Sequence, residues 1–161
     1  TGGQPVYRYF YHRVGNSQDA EELTAQVFLA VCEKLPAYRH RGHFAAWLFS
    51  IARRRAADYF RKRDPSVPLE IIDPADPAPN PLVQAINSDE IQRLRGIIQS
   101  LPERDQELIR LRYVAQLTFG AIARLFNRKE DSVRKQLSRL LVRMQNQMED
   151  KYEGAGSINP G

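Results

Sequence analysis

The sequence predicts an all-α protein made of two small helical domains joined by an extended linker. Apolar side chains recur every three or four residues, the spacing of amphipathic helices, across residues 6–63 and again across residues 82–146. Six prolines between residues 64 and 81 separate the two stretches, and a helix cannot continue through them. The same interval is acidic, which favours an extended connector over part of a folded core.

The charge distribution indicates a polyanionic partner. The 161 residues carry a net charge of +5, but residues 1–65 and residues 91–150 each carry +5 on their own. Between them, residues 66–90 contain five acidic side chains and no lysine or arginine. Two basic domains on an acidic linker are typical of a protein that binds nucleic acid.

Composition disfavours several other classes of protein. Cys32 is the single cysteine, which rules out an internal disulfide and fits a reducing compartment. No apolar run approaches the roughly 18 residues of a membrane span, and no signal peptide is visible, so a cytoplasmic protein without membrane insertion is expected. The sequence starts at Thr1 rather than Met, and we expect the N-terminus to be incomplete.

Five helices are predicted ahead of the most informative segment. In the first domain, Gly15 ends the first helix, and Ser17 or Asp19 can act as the N-cap of the second. Pro36 stops the second helix, and a loop that turns at Gly42 leads into the third. The five helices are expected over residues 6–14, 17–35, 44–62, 82–100 and 103–113.

Residues 117–144 predict two helices joined by a tight turn. Thr118 is a candidate N-cap for the first, and Asn127 tolerates the left-handed conformation of a sharp helix end. The second helix opens with Glu130 and Asp131, which suit the positive end of a helix dipole. It is expected to bury Val133, Leu137, Leu140, Leu141 and Met144 and to expose Arg134, Lys135, Ser138, Arg139 and Arg143.

Taken alone, this pattern has two interpretations. One is a helix-turn-helix whose second helix enters a DNA major groove. The other is an ordinary helical hairpin whose basic face only meets water.

Four segments of the chain together resemble the extracytoplasmic-function sigma factors, the two-domain sigma subunits of bacterial RNA polymerase. Their order and spacing carry the resemblance, which covers about three quarters of the chain: AEELTAQVF (20–28), FAAWLFSIARRRAADYFRKR (44–63), LPERDQELIRLRYVAQLTFGAIA (101–123) and SVRKQLSRL (132–140). The resemblance implies a first domain (1–63) for the polymerase and the promoter −10 element, a flexible acidic linker (64–90), a second domain (91–150) for the −35 element, and a disordered tail (151–161).

The resemblance also implies three sets of functional residues. A base flipped from the −10 element would be held by aromatic stacking and polar contacts, and arginine on the second domain can fork onto guanine in the major groove. The −10 set is Tyr38, Arg41, Phe44, Arg53, Arg54, Asp58 and Arg61. The −35 set is Arg134, Lys135, Ser138 and Arg139. The set expected to bind the coiled-coil clamp of the polymerase largest subunit is Asp19, Glu21, Glu22 and Gln26.

Three positions depart from the family pattern. Ala25 stands where a Gln is usual, and Gln26 follows where a Glu is usual, so one hydrogen bond and one charge of the clamp contact change. Arg54 stands where Asn is frequent, and a long cation in place of an amide changes the preferred base or turns the contact toward phosphate.

The resemblance implies three partners for a chain that is monomeric when free. They are core RNA polymerase, which binds through its clamp and its flap, then promoter DNA, and finally an anti-sigma factor. The acidic linker would follow the basic path for nucleic acid through the polymerase, although a plain tether also accounts for its prolines.

Two rival classes explain less of the chain. A free-standing helix-turn-helix regulator, which usually dimerises on two half-sites, leaves the first domain and the acidic linker without a role. An enzyme would need a convergent site, and His12, His40, His43 and Cys32 fit no ligand spacing on a common element. We therefore expect no catalytic residue, metal or cofactor.

Overall fold

The structure is a computed structural model that describes residues 3–38, 42–63 and 81–157, with side chains described for residues 4–38, 42–63 and 89–150. These residues form helices joined by short turns, and no strand occurs among them. The predicted all-α class is confirmed. The predicted linker up to residue 80 and the predicted −10 residue Arg41 lie outside the described residues.

The first group of helices comprises α1 (Gly3–Val14), α2 (Ser17–Lys34) and α3 (Phe44–Arg63). A turn of 3-10 helix at Leu35–Ala37, which Pro36 enters without a backbone N–H to lose, follows α2. The predicted caps of α2 were wrong. Asn16 is the N-cap, because its extended backbone lets its side-chain oxygen accept from the Asp19 N–H at 2.8 Å.

The second group comprises α4 (Pro81–Ser100), α5 (Glu103–Ile109), a π-helical turn (Arg110–Val114), α6 (Phe119–Phe126) and α7 (Glu130–Ser157). The sequence predicted one regular helix where α5 and the π-helical turn lie. Instead, the Ala115 N–H donates to the carbonyl of Arg110, five residues back, at 2.9 Å. The wider turn leaves Arg110 buried at its start.

The predicted helix-turn-helix is present as α6, a turn and α7. Thr118 caps α6 by accepting from the Ala121 N–H at 3.1 Å, and Asn127 ends it with a left-handed φ of 53°. Four of the five predicted core residues of α7 are buried. Leu141 is 39% exposed, because it lies one residue, or about 100° of helix, beyond the buried stripe. That stripe is Val133, Leu137, Leu140 and Met144.

The tail differs from its prediction. Residues 151–157 were expected to be disordered, yet α7 includes them and ends at Ser157. The first helix-breaking proline after the start of α7 is Pro160, so no residue before it forces a stop. Residues 158–161 lie outside the described residues.

The two groups of helices pack against each other. Helix α1 touches the π-helical turn, and α3 touches α6. The buried apolar side chains of both groups form one contiguous cluster that includes Tyr9, Phe49, Leu108 and Leu111. The packing brings side chains that lie 54 to 98 residues apart in sequence within hydrogen-bond distance.

Candidate nucleic-acid interface

The exposed face of α7 carries the predicted −35 residues, and all four are exposed. Arg134 is held from two sides. Its guanidinium pairs with Glu130 one turn back at 2.7 Å and lies 4.7 Å from the centre of the Phe119 ring. Arg112 covers the same ring at 4.2 Å, so Phe119 is shared by two arginines.

Lys135 and Arg139 belong to a separate, strongly basic groove. The groove, with a volume of about 640 Å³, lies between the start of α5 and α7. Buried Asp105 is the one carboxylate in it, and it accepts from Gln136 at 3.2 Å and pairs with Arg143 at 3.5 Å. The cations that line this basic groove are Arg104, Arg128, Lys135, Arg139 and Arg143. Their convergence creates a positive potential suited to a polyanion.

Two of the predicted −10 residues belong to an aromatic cluster formed by Tyr38, Phe44 and Trp47. The ring centre of Tyr38 lies 4.6 Å from that of Trp47, and the Phe44 centre lies 5.7 Å from Trp47. Phe44 is 45% exposed, so the cluster presents a ring to solvent at the start of α3. Trp47 is partly buried and packs against the hydrophobic core as well as against the other two rings.

Among the remaining predicted −10 residues, some side chains lie on the surface and one is held in a contact with the second group of helices. Arg54 is exposed, and Arg61 pairs with Asp58 at 3.8 Å on the surface of α3. Arg53 instead points into the contact between the two groups of helices. Its Nε donates to Glu107 at 2.8 Å, and its guanidinium lies 5.0 Å from the centre of the Phe126 ring.

The predicted clamp-binding residues are also divided. Asp19 is engaged within the first group, where it accepts from the Tyr59 hydroxyl at 2.5 Å and pairs with Arg63 at 3.5 Å. The Tyr59 hydrogen bond lowers the pKa of Asp19, while burial together with that bond raises the pKa of Tyr59 to about 12. Glu21 and Glu22 are exposed on α2, and Gln26 is partly buried.

A network of six side chains joins the two groups, and we call it the ionic clasp. Glu107 accepts from the Tyr9 hydroxyl at 2.7 Å, from Arg53 at 2.8 Å and from Arg110 at 2.5 Å. Glu103 accepts from Arg13 and, at 2.8 Å, from Arg110. The ionic clasp is therefore Tyr9, Arg13 and Arg53 from the first group with Glu103, Glu107 and Arg110 from the second.

The ionic clasp lies in a buried environment. Glu107 is only 6% exposed and Arg110 only 8%. Burial alone would raise the pKa of Glu107, but Arg110, Arg13, the Tyr9 hydroxyl and Arg53 together outweigh it and lower that pKa. The carboxylate is therefore held in its charged form by neighbours from three separate helical elements.

Each of the two groups of helices matches a known protein family. Residues 3–65 match the family Sigma-70 region 2, and residues 91–144 match Sigma-70, region 4. The ECF RNA polymerase sigma factor SigD of Mycobacterium tuberculosis is 31% identical over 153 residues, which cover 89% of this chain and 71% of SigD. The chain belongs to the ECF sigma factor family.

Two further relatives bear on this sigma factor. The ECF RNA polymerase sigma factor BldN of Streptomyces coelicolor is 29% identical over 133 residues. That match covers 80% of the chain but only half of BldN. The fold is similar to that of CnrH, solved in complex with the cytosolic domain of CnrY, with a TM-score of 0.57 and 15% identity over 95% of this chain and 80% of CnrH.

Sequence reasoning missed the two carboxylates that join the two groups of helices. Glu103 and Glu107 lie one turn apart on α5, with Arg110 three residues further along. The one available signal was that Glu107 lies directly before the apolar pair Leu108 and Ile109. Within the described ranges, no cluster of three or more His, Cys, Asp or Glu side chains could hold a metal. None of the described helices is long and apolar enough to cross a membrane.

Proposed function

We propose that this ECF sigma factor directs bacterial RNA polymerase to promoters and starts transcription there. The observation that carries the proposal is the match to both sigma regions in order, with a helix-turn-helix in the second. This chain covers half of BldN and 71% of SigD, so its activity is inferred from the regions that it shares with these relatives.

The −35 element would be bound by α7 in the major groove. Arg134, Ser138 and Arg139 would reach base edges, where the arginine fork can pair with guanine O6 and N7. The other cations of the basic groove, which are Arg104, Arg128, Lys135 and Arg143, would take backbone phosphates. The convergent cations of the groove repel one another until a polyanion neutralises them, and releasing the counterions of DNA adds to binding.

The −10 element would be captured at the start of α3. A base extruded from the duplex loses stacking worth a few kcal/mol, and an exposed aromatic ring can restore part of it. Phe44, backed by Tyr38 and Trp47, supplies such a surface. Arg54 and Arg61 on the same helix would contact phosphates, which favour the approach of the single strand.

Core polymerase would bind α2 through the exposed carboxylates Glu21 and Glu22 with Gln26. An acidic face favours fast, oriented association with a basic clamp surface. Leu29 is 66% exposed one turn beyond Ala25 and adds apolar area to this face. The flap and an anti-sigma factor are the further partners of the proposal, which places a monomeric free protein in the bacterial cytoplasm.

Run-off transcription with core polymerase on a genomic promoter library tests the proposal. Transcripts that need both core enzyme and this chain are the expected result, and their start sites would give the promoter sequence. Arg139→Ala should lower the yield, whereas Arg95→Ala, an exposed arginine on α4, should not. Tight dimeric binding to a palindrome without any association with core polymerase would favour a free-standing regulator instead.

Glu22→Lys tests the clamp contact separately. Charge reversal on an exposed helix face should weaken core binding in competition with another sigma factor and leave binding to −35 DNA intact. Glu90→Lys, an exposed carboxylate on α4, is the matched control. If Glu22→Lys competes as well as the parent chain, the acidic face of α2 is merely solvated.

A further inference from the structure

We propose that the α5–α6 segment of this chain covers part of the proposed −10 surface of α3 at Arg53, where Glu107 takes the place of a DNA phosphate. The segment thereby competes with single-stranded DNA for the first group of helices. The inference rests on the proposed function for the identity of the displaced ligand. The contact itself stands on the geometry of the described residues alone.

The α5–α6 segment contacts both α1 and α3. Tyr9 and Arg13 reach it from α1, and Arg53 reaches it from α3. On the other side, Glu103 and Glu107 project from α5, and Phe126 projects from the end of α6. Contacts with α1 and α3 on one side, and with α5 and α6 on the other, fix the orientation as well as the presence of the segment.

Arg53 is the residue for which the α5–α6 segment and single-stranded DNA compete. Its Nε–H is donated to Glu107 at 2.8 Å, and one face of its guanidinium lies over the Phe126 ring at 5.0 Å. A carboxylate and a phosphate bind a guanidinium in the same geometry, and an aromatic ring stacks on it as a base does. The segment therefore offers Arg53 both contacts that a nucleotide would offer.

The ionic clasp favours an all-or-none contact. Glu107 is almost fully buried, so withdrawing Arg53 and Tyr9 while the segment stays in place would leave a buried charge with fewer partners. Complete separation instead returns the carboxylate and the arginine to water. The first group consequently frees Arg53 only when the second group leaves it, and DNA or polymerase binding must supply that separation.

The distance between the two groups measures the contact directly. Cys32 is the single cysteine, is exposed and lies on α2, so it takes one label, and Asn146→Cys on α7 supplies a second exposed position. Double electron–electron resonance on the doubly labelled full chain gives the distance distribution. Binding of a mixed-sequence 20-nucleotide single-stranded DNA, followed by anisotropy, gives the accessibility of the α3 face.

Two substitutions open the contact by different routes. Glu107→Gln removes the central charge and keeps the side-chain volume, and Glu103→Gln removes the partner of Arg13 at a half-exposed site where folding is less at risk. Both should lengthen and broaden the distance distribution and tighten single-stranded DNA binding about three- to tenfold. Glu90→Gln, which makes the same change on the exposed face of α4, should alter neither readout.

Three results would overturn the proposal. One is a parent chain whose labels are already widely separated, and another is an unchanged short distance in both folded variants. The third is a lengthened distance without tighter DNA binding, since the segment would then mask nothing. Because the distance needs no polymerase, failure of run-off transcription would refute the proposed function while leaving this measurement free to succeed or fail.

Discussion

At the scale of single residues, the arginines of α7 are not equivalent. Arg134 is oriented by Glu130 and by the Phe119 ring, whereas Arg139 lies in the basic groove without an ion pair to any described residue. An arginine held in one orientation loses less side-chain entropy when it meets a base. Phe119 should therefore contribute to DNA binding without touching DNA.

A double-mutant cycle tests that contribution. Phe119→Leu and Arg134→Ala should each weaken binding to a −35 duplex taken from the promoter library, and their coupling should be about 0.5–1 kcal/mol. The matched cycle of Phe119→Leu with Arg139→Ala should be additive. Equal coupling in both cycles would mean that Phe119 acts only by supporting the domain.

Tyr59 shows how a single side chain contributes to the stability of the fold. Its hydroxyl donates to Asp19, a partly buried charged acceptor, so Tyr59→Phe should lower the free energy of unfolding by about 1 kcal/mol in urea titrations at pH 7. Tyr113→Phe, at a tyrosine that is 52% exposed, should change it little.

The same hydrogen bond has a defined pH window. Because the pKa of Tyr59 rises to about 12 in the folded chain, its contribution is fully present below the ordinary tyrosine pKa near 10. The contribution is then lost as the pH rises through the folded value. The stability difference between parent and Tyr59→Phe should shrink over that interval, and a constant difference would rule out the hydrogen bond as its source.

At the scale of elements, the sequence predicted what local chemistry controls. Proline stops, the Thr118 cap and the left-handed Asn127 are each decided within a few residues, and the helices they bound were placed within a few residues of their observed ends. The π-helical turn was not predictable in this way. It depends on burying Arg110 against Glu103 and Glu107, and on partners that α1 and α3 supply.

Asn127 provides the test at this scale. With φ at 53°, a residue with a Cβ other than Asn or Asp is strained, so Asn127→Ala should lower stability by about 1 kcal/mol. Asn127→Gly should be neutral or stabilising, because glycine adopts this conformation without strain. Thermal unfolding of both variants measures the difference. A glycine variant as unstable as the alanine variant would show that the Asn side chain, rather than the backbone conformation, matters.

At the scale of the whole molecule, the sequence predicted the two groups of helices but not how they pack against each other. The four side chains predicted for the −35 element are exposed on α7 as the sequence predicted, and their role stays a prediction. The sequence also assigned Arg53 to DNA and gave no sign of its partner Glu107. The contacts of Arg53, Tyr9 and Arg13 join residues 54, 98 and 90 positions apart, and no periodicity or spacing encodes such pairs. Only packing of complete helices brings them together.

Acid should separate the two groups. Since the pKa of Glu107 is lowered in the folded chain, the contribution of its charge is present above the ordinary glutamate pKa near 4.5 and is lost as the pH falls through the lower folded value. The label distance between positions 32 and 146 should therefore lengthen below about pH 4.5. In Glu107→Gln this acid step should be absent or much smaller. A step of equal size in the variant would assign it to another carboxylate.

The ionic clasp also restricts how the sequence can change over evolutionary time. Loss of one member of a buried charge network commonly costs about 3–5 kcal/mol, a large part of the stability of a small protein. Replacements at positions 53 and 107 should therefore occur together, or through an intermediate in which both become apolar. Among related sigma factors, the residues at these two positions are expected to covary. Pairs such as 145 and 149, which are hydrogen-bonded only on the surface, should drift independently.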